Sequence, residues 1–282
     1  MLEPLLNHIF PSGYHSFTHL SGGDINEVVH VKINDESDKV IKINSAQKFP
    51  KMLEIEGKSL EFLSNNGINV PIVVKSGEVE NQQYLVLEYI FGASKSPTFW
   101  DDFGVEMINL HQNTNDTFGL HSDNYIGSLP QSNKSHSTWT DFFINERCIP
   151  QVKLATDSGY LEISDLKTFE RFYNEVDSIW PKEKPALLHG DLWSGNYMVD
   201  SKGSPLLIDP AIYYGHREMD IGMMHLFGGF HSDLFDKYNE LFPLETGWKE
   251  RIRYNQLYYL LVHLNLFGLG YKSQVMNSIK GF

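Results

Sequence analysis

The chain has 282 residues, 41% of them apolar and 21% charged, and carries a formal net charge of −13 from 23 basic and 36 acidic side chains. That length and composition exclude a disordered polymer and supply a sizeable core, as one large domain or two lobes. The acidic balance, with no Lys/Arg run, excludes a duplex-binding surface, and no stretch approaches the roughly 18 apolar residues of a membrane span.

In chain order, "MLEPLLNHIF" opens without a basic segment or a long apolar run, which argues against a signal peptide and makes the cytoplasm the expected compartment. "LSGGDINEVVHV" places Gly22 and Gly23 just before a strand. "EVVHVKI" (27–33) and "KVIKIN" (39–44) are rich in β-branched residues and predict two strands around the polar turn "NDESD". A helix is expected over about 50–65, with Pro50 in its first turn and Gly67 past its end. "VPIVVKSG" (70–77) and "YLVLEYI" (84–90) add two strands, "FGASKSP" (91–97) reads as a linker, and a helix then runs to about Gln112. The remainder is mainly helical, with "FERFYNEVDSIW" and "QLYYLLVHLNLF" reading as core stripes. The lone Cys148 cannot form an intrachain disulfide and reads as a small buried hydrophobe.

Embedded in the helical part is "LLHGDLWSGNYMVDSKGSPLLIDP" (187–210), where "NYMV" and "SPLLI" predict a hairpin closed by "DSKG". Pairing Val199 with about Ser204 sets Asn196 opposite Leu207 and puts Asp209 one or two residues beyond, so both oxygen-bearing side chains stand at the open end. Two oxygen ligands there suit Mg²⁺, which keeps water and phosphate in its remaining positions. His189, Asp191, Asn196 and Asp209 together follow the order of a phosphoryl-transfer loop: Asp191 accepts the proton of the attacking hydroxyl, Asn196 and Asp209 hold metal, and His189 orients the loop. The rival use of the same residues is a capped turn around a buried histidine.

Phosphoryl transfer also needs a lysine on the nucleotide phosphates. Strand alternation sets Lys42 opposite in facing to Ile41 and Ile43. On the following helix Glu56 falls into the apolar stripe of Leu53, Leu60 and Leu63, and a carboxylate facing a core needs a partner; Lys42 is the natural one. Gly22 and Gly23 suit a loop over the phosphates, or an ordinary turn. Glu88 and Tyr89, at the end of "LVLEYI", stand where backbone groups meet an adenine edge, or are a plain strand end.

With these motifs placed, "LLHGDLWSGN" followed by "IDPAIYYGHREMDIGMMHLFGGF" resembles the central signature of the fructosamine (ketosamine) kinase family, relatives of the aminoglycoside phosphotransferases. "SGGDINE", "VIKIN", "LEIEGKSLEFL", "WTDFFINER" and "HLNLFG" extend the resemblance over most of the chain. It implies an α+β, two-lobed protein-kinase-like fold, with a small β-rich N-lobe (1–91), a larger mainly helical C-lobe (92–282) and the nucleotide between them. It also implies ATP- and Mg²⁺-dependent phosphorylation of a sugar hydroxyl on ketoamines, free or on glycated proteins, after which the adduct decomposes and frees the amine. Carried over by motif, Asp191 is the base, Asn196 and Asp209 the metal ligands, Lys42 and Glu56 the phosphate-gripping pair, and Gly22–Gly23 the phosphate loop. Trp193 packs on the sugar or on its own loop. His216, Arg217 and Glu218 line the acceptor cleft or serve as caps and salt bridges, Asp220 braces the catalytic loop, and His263 and Asn265 match the substrate wall. Asp24 stands where several eukaryotic members carry a cysteine, so a disulfide-linked dimer of that kind is not expected. The rival functions are an aminoglycoside- or choline-type kinase, differing only in its acceptor pocket, and a non-catalytic nucleotide-binding module.

Overall fold

The computed structural model describes residues 2–20, 25–34 and 37–282. The chain folds as two compact units, Met1–Pro97 with Met198–Asp209, and Thr98–Tyr197 with Pro210–Phe282. This differs from a single division at residue 91. The 91–97 linker stays with the first unit because Ser96 N–H donates to Gly203 C=O at 3.0 Å. The hairpin returns to it because Leu207 N–H donates to Asn69 C=O at 2.8 Å and the Asn69 amide donates to Pro205 C=O at 2.8 Å.

The first unit begins with α1 (Leu2–Ile9) and β1 (Tyr14–His19), continues through β2 (Glu27–Ile33), β3 (Lys39–Ser45), α2 (Met52–Asn65) and β4 (Val73–Val79), and ends its contiguous part with β5 (Gln82–Glu88). The five strands form one antiparallel sheet in the order β1-β2-β3-β5-β4. Alternation along β3 divides its side chains between two covered faces. Ile41 and Ile43 join Leu5, Leu6 and Ile9 of α1 in one core. Lys42 and its register partner Leu85 point to the other face, where α2 lies; Leu85 Cδ1 is 3.0 Å from where a Cβ on Gly57 would sit. Burying the three α1 side chains contributes about 1.5–3 kcal/mol each, an upper bound against an extended reference chain. Sequence periodicity marks four of the five strands and α2, and does not mark α1 or β1.

The second unit contains α3 (Phe99–Gln112), a short hairpin of β6 (Asn124–Ile126) and β7 (Leu129–Gln131), and a strand pair, Ala186–Leu188 with Tyr213–Gly215, surrounded by helices. Its central helix, Trp248–Phe267, buries every residue from Leu257 to Val262, as expected of a helix apolar on nearly all sides. Phe142, Phe143, Phe169, Phe172, Trp180 and Tyr213 complete that core, with Cys148 fully buried among them. Burial pushes the Cys148 thiol far above its ordinary value, which leaves it an inert packing group. Among the described residues no helix is long and apolar enough to cross a membrane.

Candidate active site

The first unit brings three of the expected residues together. Lys42 Nζ donates to Glu56 Oε1 at 2.6 Å and also bonds Asp209 Oδ1. Glu56 reaches the lysine because Leu53, Leu60 and Leu63 of the same helix face are buried and hold α2 against the sheet. Burial works to lower the Lys42 pKa, but the carboxylates of Asp209 and Glu56 outweigh it and hold the ammonium well above its ordinary 10.5. For Glu56, burial pushes the carboxyl upward, Lys42 pulls it down, and the nearby Asp209 charge adds to the upward push. One ammonium thus faces two carboxylates, and the cluster carries an excess negative charge that a second cation would relieve.

Asp209 sits at φ +55°, a left-handed conformation uncommon outside glycine, and its side chain is 44% exposed. An exposed carboxylate oxygen beside a buried ion pair fits a hard cation. Among the described residues no three His, Cys, Asp or Glu side chains converge as a closed metal site. A cation at Asp209 would therefore keep water and phosphate in most positions, as Mg²⁺ does.

The second unit builds the loop. Asp220 is fully buried on the helix Glu218–Phe227, and its carboxylate accepts from His189 N–H at 2.8 Å and Gly190 N–H at 3.0 Å; His111 Nε2 of α3 lies 3.3 Å away. Gly190, at φ +82°, passes so close to Ala211 that a Cβ would sit 2.1 Å from the Ala211 carbonyl oxygen. His189 is fully buried and its Nδ1 accepts from Asp191 N–H at 3.3 Å, an orienting role within the loop. Asn196 closes the turn: its amide donates to Asp191 C=O at 2.8 Å and to Asp191 Oδ2 at 3.2 Å. Trp193 is 41% exposed and covers Gly195 of its own loop, with ring atoms 2.2–2.6 Å from where a Cβ would stand.

The remaining expected residues divide. Gly22, Gly23 and Asp24 lie outside the described residues. Glu88 Oε1 accepts from Ile72 N–H at 2.8 Å, and the Tyr89 ring stacks on His30 at 4.0 Å. The N–H groups of both residues are engaged, with Ile72 C=O and Asp38 C=O, so any adenine bond through them falls to other atoms.

His216 and Glu218 make the buried contacts of their alternative use, capping and salt bridging. His216 is 1% exposed, lies 3.2 Å from Pro181 C=O through Nε2, and is held below its ordinary pKa by burial. Glu218, also 1% exposed, grips Arg251 with both oxygens at 2.6–3.2 Å, so its carboxylate has no open face for a substrate. Arg217 likewise pairs with Glu183 at 2.8 Å. His263 is half-buried, hydrogen-bonded through Nδ1 to Tyr259 C=O at 2.7 Å and ringed by Phe227, Phe267 and Tyr271. Asn265 turns away to Gln151, donating to its side-chain oxygen at 2.8 Å. His111 was missed by sequence reasoning, because a histidine near a helix end carries no distinguishing pattern.

A β-rich unit with a lysine–glutamate–aspartate cluster and a helical unit with a His-Gly-Asp loop pinned by a buried aspartate define a protein-kinase-like phosphotransferase. The fructosamine kinase family model matches residues 7–282, and the chain belongs to that family of ATP-dependent ketoamine-type kinases. It is 40% identical over 263 residues to a probable ketoamine kinase of Enterococcus faecium, covering 93% of each chain. It is 34% identical over 273 residues to the chloroplastic protein-ribulosamine 3-kinase of Arabidopsis thaliana, covering 93% of this chain and 81% of that one. A crystal structure from Thermobifida fusca, assigned as a fructosamine-3-kinase, superposes with a TM-score of 0.87 at 29% identity, over 98% of this chain and 96% of the other.

Proposed function

We propose that the chain uses MgATP to phosphorylate a sugar hydroxyl of ketoamines, preferring ribulosamine and erythrulosamine adducts to fructosamine, and so initiates removal of the sugar from the amine. The observation that carries the reading is the Lys42–Glu56–Asp209 cluster, whose order in the chain is that of a nucleotide-phosphate grip. The sugar preference is supported by family resemblance and by likeness to the plant ribulosamine kinase.

In this reading Asp191 accepts the acceptor hydroxyl's proton as the hydroxyl oxygen bonds the γ-phosphorus and the bond to the ADP oxygen breaks. Lys42, oriented by Glu56, holds the nucleotide phosphates. Asp209 offers a carboxylate oxygen and Asn196 its amide oxygen to Mg²⁺. That metal, when bound, offsets the phosphate charge that builds as the bond breaks. Glu88 and Tyr89 border the adenine, Trp193 is one wall against the sugar, and His263 belongs to the acceptor rim.

Comparing kcat/KM for ATP consumption across ribulosamine, erythrulosamine, fructosamine, aminoglycoside and choline acceptors tests the reading. One carbon unit is worth only about 1–3 kcal/mol, so the preference among ketoamines is expected to be graded. Fructosamine as the best ketoamine overturns the size preference alone. An aminoglycoside or choline as the best acceptor overturns the ketoamine assignment and leaves the phosphotransfer roles standing.

A further inference from the structure

A chain of buried amides lies under the catalytic loop, and the phosphotransfer roles above do not use it. Gln131 and Asn124 face each other at the end of the β6–β7 hairpin, 2% and 4% exposed. Gln131 Nε2 donates to Ala211 C=O at 3.2 Å and to Asn124 Oδ1 at 2.7 Å, while its Oε1 accepts from Tyr258 O–H at 2.7 Å. Asn124 Nδ2 donates to Ile212 C=O at 2.8 Å. Asn133 then donates to Asn124 Oδ1 at 3.0 Å and accepts from Arg147 at 2.7 Å.

Arg147 is fully buried in the π-helical turn Phe143–Cys148, and its guanidinium lies 4.0 Å over the Tyr213 ring and 4.5 Å over Phe142. Among the described residues it has no carboxylate partner within salt-bridge distance. Burying five polar side chains in a row is unfavourable unless their bonds do something apolar packing cannot. What these bonds fix is the backbone at 211–212. Ala211 follows Asp209 by two residues, its N–H donates to His189 C=O at 2.9 Å, and its carbonyl oxygen abuts Gly190, the residue before Asp191.

We infer that Gln131 and Asn124 are positioning residues for phosphoryl transfer: they clamp the carbonyls of Ala211 and Ile212, in the segment that follows Asp209 in the chain, and thereby hold that segment against the loop bearing Asp191. The inference rests on the roles proposed for those two aspartates. A shift of about an ångström in such a segment is enough to lower turnover on the order of a hundredfold.

The test compares Gln131→Met, which removes all three bonds without adding charge, with Tyr258→Phe, which removes only the bond that Gln131 accepts. Gln131→Met is expected to lower kcat about 10- to 100-fold with acceptor KM within about twofold. It is also expected to weaken MgATP binding in calorimetry several-fold and to speed amide hydrogen exchange at Gly190 and Ala211. Tyr258→Phe is expected to retain most of kcat. Asn124→Asp, which still accepts from Gln131 but cannot donate to Ile212 C=O, is the second variant and carries the test if Gln131→Met does not fold; it is expected to show the same kinetic split. Folded Gln131→Met or Asn124→Asp with wild-type kcat and MgATP affinity overturns the clamp. So does a kcat loss that follows thermal stability equally in Tyr258→Phe and the amide variants. Asp191→Asn and Asp209→Ala in the same assays separate the layers: if both keep full activity the catalytic reading fails, and if both lose activity while the amide variants do not, only the clamp fails.

Discussion

Replacing Asp220 by Asn isolates the aspartate that fixes the loop bearing Asp191. Its Oδ2 faces His189 N–H at 2.8 Å and His111 Nε2 at 3.3 Å, and its Oδ1 faces Gly190 N–H at 3.0 Å, all in a fully buried setting. Asparagine has one acceptor oxygen, so its best rotamer keeps the His189 and His111 contacts and turns an NH₂ toward the Gly190 N–H. An unpaired buried N–H costs about 1–3 kcal/mol, and weakening the other two bonds adds roughly 1 kcal/mol each, for a loss of about 3–5 kcal/mol. Against a usual stability of about 5–15 kcal/mol, the variant is expected to fold but with a much lower unfolding midpoint. All five tryptophans (100, 139, 180, 193 and 248) lie in the second unit, so their fluorescence during urea denaturation reports on the unit that holds Asp220. Turnover measured below the transition is expected to fall along with the lost loop geometry. A destabilisation under about 1 kcal/mol with full turnover would show that these contacts do not fix the loop.

Asp191→Asn is expected to lower kcat by about 10²- to 10⁴-fold while calorimetry still detects MgATP binding. Asp209→Ala is expected to impair metal-dependent nucleotide binding as well as turnover, measured as the difference in ATP affinity with and without Mg²⁺. Glu218→Gln leaves Arg251 without its carboxylate and is expected to destabilise by about 3 kcal/mol or more in the same urea assay, with acceptor KM unchanged; a raised KM at unaltered stability would return Glu218 to the acceptor cleft. His216, His225 and His263 are each held below the ordinary 6.5 by burial, so between pH 6.5 and their folded values the unfolded chain binds more protons than the folded one. Stability is therefore present above about pH 6.5 and is lost as pH falls through that window; Tm at pH 5.5 against 7.5 reads it, and His216→Phe is expected to flatten the slope.

Much of the site could be read from the sequence because its residues sit in regular elements. Period-two alternation sets Lys42 apart from Ile41 and Ile43, and helical spacing places Glu56 among Leu53, Leu60 and Leu63; the Lys42–Glu56 bond follows from those two periodicities. The brace on the loop is less legible. Asp220 could be anticipated from the motif, but its partner His111 lies 109 residues away, and no local pattern links them. The hairpin closes as Asp200 N–H donates to Ser204 C=O at 2.9 Å, close to the expected pairing of Val199 with about Ser204. The choice between acceptor cleft and salt bridge stays open in the sequence at His216 and Glu218, because chain position says nothing of burial. Glu218 turns inward to Arg251, a partner fixed only by tertiary packing.

The return of residues 198–209 to the first unit has a consequence for synthesis. The hundred residues of Thr98–Tyr197 are made between the two pieces of that unit, so at about 5–20 residues per second it waits roughly 5–20 s on the ribosome for its last hairpin. Throughout that interval the nascent chain has Lys42 and Glu56 but not Asp209, and Asn69 lacks the backbone groups of Pro205 and Leu207 that it will bond. The Lys42–Glu56–Asp209 cluster is therefore finished only after most of the second unit has been translated, and a ribosome-bound chain stalled before residue 198 would carry a sheet without its aspartate.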